Sequence, residues 1–113
     1  MSEGLPTAVL GRTGLKVTRL GYGAMAVSNA PDDLSDTVLN AVLDGGINFI
    51  DTSNDYGRSE EFIGKYISHR RSEYYLATKC GCVPGGGKHI WTRENLFRGL
   101  NESLERMRTD YVD

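Results

Sequence analysis

Gly45-Gly46-Ile47-Asn48-Phe49-Ile50-Asp51-Thr52-Ser53-Asn54-Asp55-Tyr56-Gly57 holds a helix stop, a strand and a loop in direct succession. Two adjacent glycines end what precedes them, because a residue without Cβ takes the left-handed conformation that closes a helix at little cost. Ile47-Asn48-Phe49-Ile50 then reads as a short strand ending at Asp51, and Thr52 to Arg58 as a polar loop. Upstream, the spacing predicts a helix from about Asp33 to Asp44, with Asp32 as its N-cap and acidic residues in its first turn. Leu34, Val38 and Val42 recur every four residues with Leu39 and Leu43 beside them, giving one apolar stripe. Downstream, Ser59 is expected to cap a second helix. Glu60 and Glu61 lie in its first turn, Phe62, Ile63, Tyr66 and Ile67 on one face, and His69-Arg70-Arg71 at its negative end.

The same alternation runs outward from there. Tyr74 to Thr78 is a strand delivering Lys79, Gly81 to Lys88 a glycine-rich loop, and Thr92 the cap of a long helix marked by Leu96, Leu100 and Leu104 with Phe97 and Met107 beside them. Tyr111-Val112-Asp113 begins a further strand. Toward the start, Thr7-Ala8-Val9-Leu10 and Leu15-Lys16-Val17-Thr18 flank Gly11-Arg12-Thr13-Gly14, which reads as a β-hairpin over 7–18. Arg19 to Ala24 is then a short strand and Val27 to Pro31 a loop. The order is a hairpin, three βα units from about residue 19 to 108, and a fourth strand beginning at 111–113. Strands alternating with amphipathic helices specify an α/β fold with a parallel sheet and right-handed crossovers. No internal repeat beyond this unit, no linker and no second domain is visible.

Parallel sheets are covered on both faces or closed into barrels. Three strands and the start of a fourth leave one face and an edge in water. A full barrel takes roughly 250 residues, against 113 here. The expectation is the N-terminal fragment of a (β/α)8 TIM barrel, truncated after Asp113, with an exposed edge that disposes the fragment to aggregate. Oligomeric state is left open.

Composition is that of an ordinary globular protein, 39% hydrophobic and 25% charged. A net charge of −2 supplies no basic field for nucleic acid or an anionic membrane. No apolar run is long enough to span a bilayer, and Met1-Ser2-Glu3-Gly4-Leu5-Pro6 lacks the basic and apolar regions of a signal peptide. Cys80 and Cys82 read as two reduced thiols in a cytosolic protein, since a disulfide framework needs more cysteines, better spread.

In a sheet built of βα units the carboxyl ends of the strands share one face, and sites are built there. Asp51 ends one strand and Lys79 the next, with Tyr56 five residues beyond Asp51. Neighbouring strands lie about 4.8 Å apart, so an Asp and a Lys at their tips can pair. A tyrosine titrates near 10 when unperturbed, and an adjacent ammonium favours the phenolate, making the hydroxyl a readier proton donor. That suits reduction of a carbonyl, whose oxygen needs a proton as its carbon takes hydride. Singly, each residue has a plainer reading: Asp51 caps a loop, Tyr56 packs on the surface, and Lys79 is solvated. Their joint placement at adjacent strand ends is what favours chemistry.

Other signals are weaker. Gly21-Tyr22-Gly23-Ala24-Met25-Ala26 fits G-x-G-x-x-G/A, with Asp51 as a ribose-binding acid. A doubly wound dinucleotide fold, however, starts its helix inside that motif, and Asn29-Ala30-Pro31 postpones it. Pro84-Gly85-Gly86-Gly87-Lys88 lacks the spacing of a phosphate loop and reads better as a mobile loop over a substrate mouth. Cys80, Cys82 and His89 are too few and too closely spaced for a structural zinc site, so no metal is expected. Trp91 either lines a substrate pocket or, more in keeping with its place before an N-cap, packs at the start of the third helix.

The opening stretch resembles the signature of the aldo/keto reductase family. So do Leu10-Gly11-Arg12-Thr13-Gly14-Leu15-Lys16-Val17, Leu20-Gly21-Tyr22-Gly23, Ala77-Thr78-Lys79, and Ser103-Leu104 through Arg108-Thr109-Asp110-Tyr111-Val112-Asp113. The motifs run in order, at the family's spacing, over nearly the whole chain. The resemblance implies an eight-stranded α/β barrel plugged by an N-terminal hairpin, and reversible NADP(H)-dependent reduction of aldehydes and ketones to alcohols. By motif, Tyr56 is the general acid, Lys79 the residue that tunes it, and Asp51 the partner of that lysine. Gly23, Ala24 and Met25, with Asp51, approach the nicotinamide end of the cofactor. NAD(H) stays open as an alternative, because the residues that meet a 2′-phosphate lie beyond this stretch. The family's fourth catalytic residue, a histidine on the fourth strand, falls past Asp113, and neither His69 nor His89 takes its place. The implied partner is a small carbonyl or alcohol substrate, and the 113-residue chain is expected to be inactive alone. Two other readings are a cofactor-sensing regulatory barrel, like the family's channel-associated β subunits, and the remnant of a broken gene.

Overall fold

Side chains alternate across a pleated strand, and here the alternation decides which face meets the helices. In the computed structural model, which describes residues 4–83 and 88–113, Ile50 and Leu76 are buried while their neighbours Phe49, Asp51, Tyr75 and Ala77 are half-exposed on the other face. The hairpin is β1 (Thr7–Val9) with β2 (Lys16–Thr18), antiparallel. A parallel sheet follows from β3 (Tyr22–Gly23), β4 (Phe49–Asp51) and β5 (Tyr75–Ala77), in the order β3-β4-β5. Helices α1 (Asp32–Asp44), α2 (Ser59–Ile67) and α3 (Arg93–Met107) connect or follow the strands. The core lies between sheet and helices: Ile50 and Leu76 meet Leu39, Leu43, Phe62, Ile63, Ile67 and Met107. Burying each of these large side chains stabilises the fold by about 1.5–3 kcal/mol.

The hairpin is latched to the sheet by one residue of the opening motif. Asn48 Oδ1 accepts from the Thr18 N–H (2.7 Å), its Nδ2 donates to Lys16 O (3.0 Å), and its own N–H donates to Thr18 Oγ1 (3.2 Å). Since Asn48 directly precedes β4, this fixes the hairpin at the amino end of the sheet. No closed barrel forms among the described residues.

Local details depart from the sequence reading. The first strand of the sheet stops at Gly23, because Ala24–Val27 winds into a 3-10 turn that buries Ala24 and Val27, closed by Ser28 N (3.1 Å) and Oγ (2.7 Å) on Met25 O. No α-helix emerges from the Gly21–Ala26 motif, the first one starting at Asp32, so the doubly wound reading fails. Asp32 is the first residue of α1, preceded by Pro31, and does not act as its cap. Ser59 likewise lies inside α2, its Oγ 2.8 Å from Thr52 Oγ1, and Arg58 stands at the cap position. Thr92 does cap α3, accepting from Asn95 N at 3.2 Å. On α3 the leucine stripe is only half-buried, and Gly99, Ser103 and Met107 take the inner face. The reason is Gly64 on α2. A Cβ there would fall 2.0 Å from the Arg106 carbonyl oxygen, so the helices meet at a distance that small residues allow and leucines do not.

Residues 111–113 form no ladder. Asp113 N donates to Leu76 O (2.9 Å), and Arg71 secures the segment by bonding Thr109 Oγ1 (3.0 Å), Tyr111 O (3.0 Å) and Asp113 Oδ2 (3.0 Å) while its guanidinium stacks on Tyr111. Of the glycine-rich loop expected over the site, Pro84 to Gly87 lie outside the described residues. Flanking them, Cys82 and His89 form an antiparallel bridge.

Asp32 gathers Lys65 Nζ (2.9 Å), the Tyr66 hydroxyl (2.8 Å) and Arg58 Nη1 (3.1 Å), tying α1 to α2. These donors lower its pKa from 3.8 to about 2. A carboxyl whose folded pKa lies below its unfolded value adds stability above that unfolded value and loses it as pH falls toward the folded one. The melting-temperature gap between wild type and Asp32→Asn is therefore expected to be open at neutral pH and to close between pH 4 and 2; a gap that stays constant over that window would exclude this role.

Candidate active site

The carboxyl ends of the three sheet strands are in register: Gly23 pairs with Asp51, and Asp51 with Ala77. Main-chain bonding continues past the strands, from Thr52 N to Ala77 O (2.9 Å) and from Asn54 N to Lys79 O (3.3 Å). This draws Lys79 alongside Asp51 and Thr52. Its Nζ donates to Asp51 Oδ1 (3.0 Å), Asp51 Oδ2 (3.1 Å) and the Thr52 carbonyl (2.9 Å). The same nitrogen lies 4.9 Å from the centroid of the Tyr56 ring. Asp51, Tyr56 and Lys79 are thus brought together at one end of the sheet.

The Tyr56 loop is held from both sides. Internally, Asp55 N donates to Ser53 Oγ (3.1 Å), Tyr56 N to Ser53 O (3.2 Å) and Ser59 N to Tyr56 O (2.9 Å). Externally, Arg58 N donates to Ser28 O (2.8 Å). Gly57 makes that docking feasible: its φ is +50°, and a Cβ would come within 2.6 Å of the Ser28 carbonyl oxygen. Arg58 also pairs with Glu61 and lies over the Phe62 ring at 4.5 Å. The loop bearing the phenol is pinned to the turn that follows β3.

Asp51 and Lys79 side chains are 46% and 50% exposed. A pair that open to solvent is worth roughly 0–1 kcal/mol of stability, so its reach into an accessible mouth matters more than its contribution to folding. Burial works against the Lys79 ammonium, but hydrogen bonds to Asp51 and Tyr56, and their charges, outweigh it and raise its pKa above the ordinary lysine value. Lys79 is therefore a cation at neutral pH.

Of the residues expected to meet a cofactor, Gly23 leaves open space where a Cβ would stand, beside Asp51, and Met25 is exposed. Ala24 is fully buried in the core, backbone included, so it offers a cofactor no exposed surface, against the expectation from the sequence. The open floor at Gly23 fits a flat ring lying close to the main chain. Among the described residues no group of three His, Cys, Asp or Glu side chains is placed to hold a metal. Cys82 Sγ instead lies 3.2 Å from His89 Nε2, and burial, with Asp55 nearby, pushes its thiol pKa up. Trp91 does not pack on α3. It is exposed, stacks on His89 and covers Gly81, where a Cβ would stand 2.4 Å from its ring.

The sequence reading missed one group beneath the site. Glu60 is 2% exposed, and its carboxylate accepts from Arg106 Nε (3.0 Å) and Nη2 (2.9 Å) and from Thr78 Oγ1 (2.7 Å). The available signal was its position, since Glu60 shares a helical stripe with Ile63, Gly64 and Ile67.

Comparison with known proteins places this geometry in context. The model of the aldo/keto reductase family matches residues 19–113. An L-galactose dehydrogenase from Arabidopsis thaliana is 42% identical over 92% of this chain and 35% of its own length. A protein described as "Probable voltage-gated potassium channel subunit beta" from Oryza sativa subsp. japonica is 36% identical over 92% of this chain and 34% of its own. The holo form of an aldo-keto reductase from Bacillus halodurans superposes with a TM-score of 0.85 at 30% identity, covering 96% of this chain and 38% of that one. The chain spans about a third of the length of the curated relatives it matches.

Proposed function

Because this chain belongs to the aldo/keto reductase family, we propose that it carries the proton-donating part of a carbonyl reductase site, with Tyr56 as general acid, Lys79 as the cation beside it and Asp51 as the anchor of Lys79. The observation that carries this reading is the convergence on Lys79 Nζ of both Asp51 oxygens and the Tyr56 ring.

A nicotinamide dinucleotide, NADP(H) in the first instance with NAD(H) as the alternative, would supply the hydride, its ring end held by the backbone of Gly23, by Met25 and by Asp51. The chain's own residues handle the proton. The Tyr56 hydroxyl donates a hydrogen bond to the oxygen of an aldehyde or ketone and then gives up that proton as negative charge gathers on the oxygen. The phenol oxygen becomes anionic in turn, and the Lys79 ammonium stabilises it at short range. Asp51 and the Thr52 carbonyl occupy the remaining lysine donors, so the cation is kept at the phenol and not free to swing into solvent. In the direction of alcohol oxidation the same groups run in reverse.

The channel-subunit relative supports a second reading, a barrel that senses cofactor with little turnover. One experiment separates the two. This chain is substituted for the matching third of the L-galactose dehydrogenase relative, and consumption of NADPH with aldehydes is followed for the chimera and for the 113-residue chain alone. Turnover is expected in the chimera and none in the chain alone. A folded chimera that binds NADPH without turnover would favour the sensing role, and turnover by the chain alone would overturn the expected dependence on further βα units.

A further inference from the structure

A carboxylate in an apolar helical stripe is costly unless every lone pair is used, and replacing such a group with a hydrophobic residue is often harmless to stability. Glu60 is such a group, so its placement calls for a role besides packing. Both of its oxygens are engaged, one by the fork of Arg106 on α3 and the other by the hydroxyl of Thr78. Thr78 stands between Ala77, the last residue of β5, and Lys79. Because side chains alternate along an extended segment, Thr78 points into the helix layer while Lys79 points into the site. On the site's own side the Lys79 main chain is held by a long bond, its carbonyl accepting from Asn54 N at 3.3 Å.

We propose that Glu60, braced by Arg106, is a positioning residue that grips the tip of β5 through Thr78, so that Lys79 reaches Asp51 and Tyr56. The catalytic cation is thereby set from behind by the contact between two helices: α3 orients the carboxylate, the carboxylate orients the threonine, and the threonine fixes the backbone from which Lys79 extends. This rests on the proposed role of Lys79 for its functional meaning, although the coupling itself can be measured without substrate or cofactor.

The test is NMR titration of the Lys79 ammonium in the full 113-residue chain carrying 15N-labelled lysine. Thr78→Val removes a single hydrogen bond and leaves the Glu60–Arg106 pair in place. The Lys79 titration midpoint is expected to fall toward that of a free lysine in Thr78→Val and in Glu60→Gln, and to be restored by Thr78→Ser. A purely structural role would lower the melting temperature and leave that midpoint where it was. The proposal is overturned if the midpoint is unchanged in folded Thr78→Val, or if Thr78→Ser fails to restore it; should Glu60→Gln not fold, the two Thr78 variants decide alone. An inactive chimera with a coupled Lys79 would sink only the reductase reading, and an active one with an uncoupled Lys79 only this one.

Discussion

Gly64→Ala is expected to be the most destabilising small substitution in the molecule. The added methyl would fall 2.0 Å from the Arg106 carbonyl oxygen and 3.0 Å from the Met107 Cα. Both are backbone atoms of a helix, so no rotamer change relieves the overlap. The helices must part, which uncovers Met107 and lengthens the Glu60–Arg106 pair. Alanine gains up to about 1 kcal/mol over glycine in helix propensity, while overpacking costs about 1–3 kcal/mol and occasionally more. Here the upper end applies, because an inflexible atom stands in the way and a part-buried ion pair is disturbed with it. Urea unfolding should show a lower midpoint at an unchanged slope. A midpoint equal to wild type would mean that α2 and α3 do not touch at this point.

Tyr56→Phe should give the largest effect on catalysis. The ring, the loop and the position beside Lys79 are kept, and only the hydroxyl with its dissociable proton is lost. General acid catalysis contributes roughly 10²–10⁴-fold, so kcat of the chimera should fall by about that factor while KM changes little. Lys79→Met should fall into the same range, and the double variant should be scarcely worse than either, because the two side chains act as one unit. If Tyr56→Phe retains kcat within tenfold of the parent, the proton comes from elsewhere and the assignment of Tyr56 is wrong.

The alternation of strand and helix was legible because periods of two and of about four are imposed by backbone geometry itself. The end of β4 was legible for the same reason, and with it Asp51; β5 was read to Thr78 but stops at Ala77, and Lys79 is aligned by the main-chain bonding that continues past the strand. What escaped the sequence depends on contacts between elements. Ser59 and Asp32 have the chemistry of helix caps, but Thr52 recruits the first, and Arg58, Lys65 and Tyr66 recruit the second. The leucine repeat of α3 promised the buried face, yet one glycine on the neighbouring helix gave that face to Gly99, Ser103 and Met107. Glu60 was read as one of two acids in the first turn of α2. That it lies under the site follows from Thr78, 18 residues away, and Arg106, 46 residues away.

The sheet order β3-β4-β5 also bears on how the molecule comes into being. After β3, each strand of this sheet pairs with the one made just before it, so during synthesis each newly emerged βα unit finds its docking edge already present. The hairpin waits about 30 residues for Asn48, and Glu60 waits longer still for Arg106. Assembly can therefore proceed from the amino end in short closures, which favours speed. The ion pair between α2 and α3 is among the last fastenings made, so Lys79 comes under the grip of Glu60 only once α3 has been built.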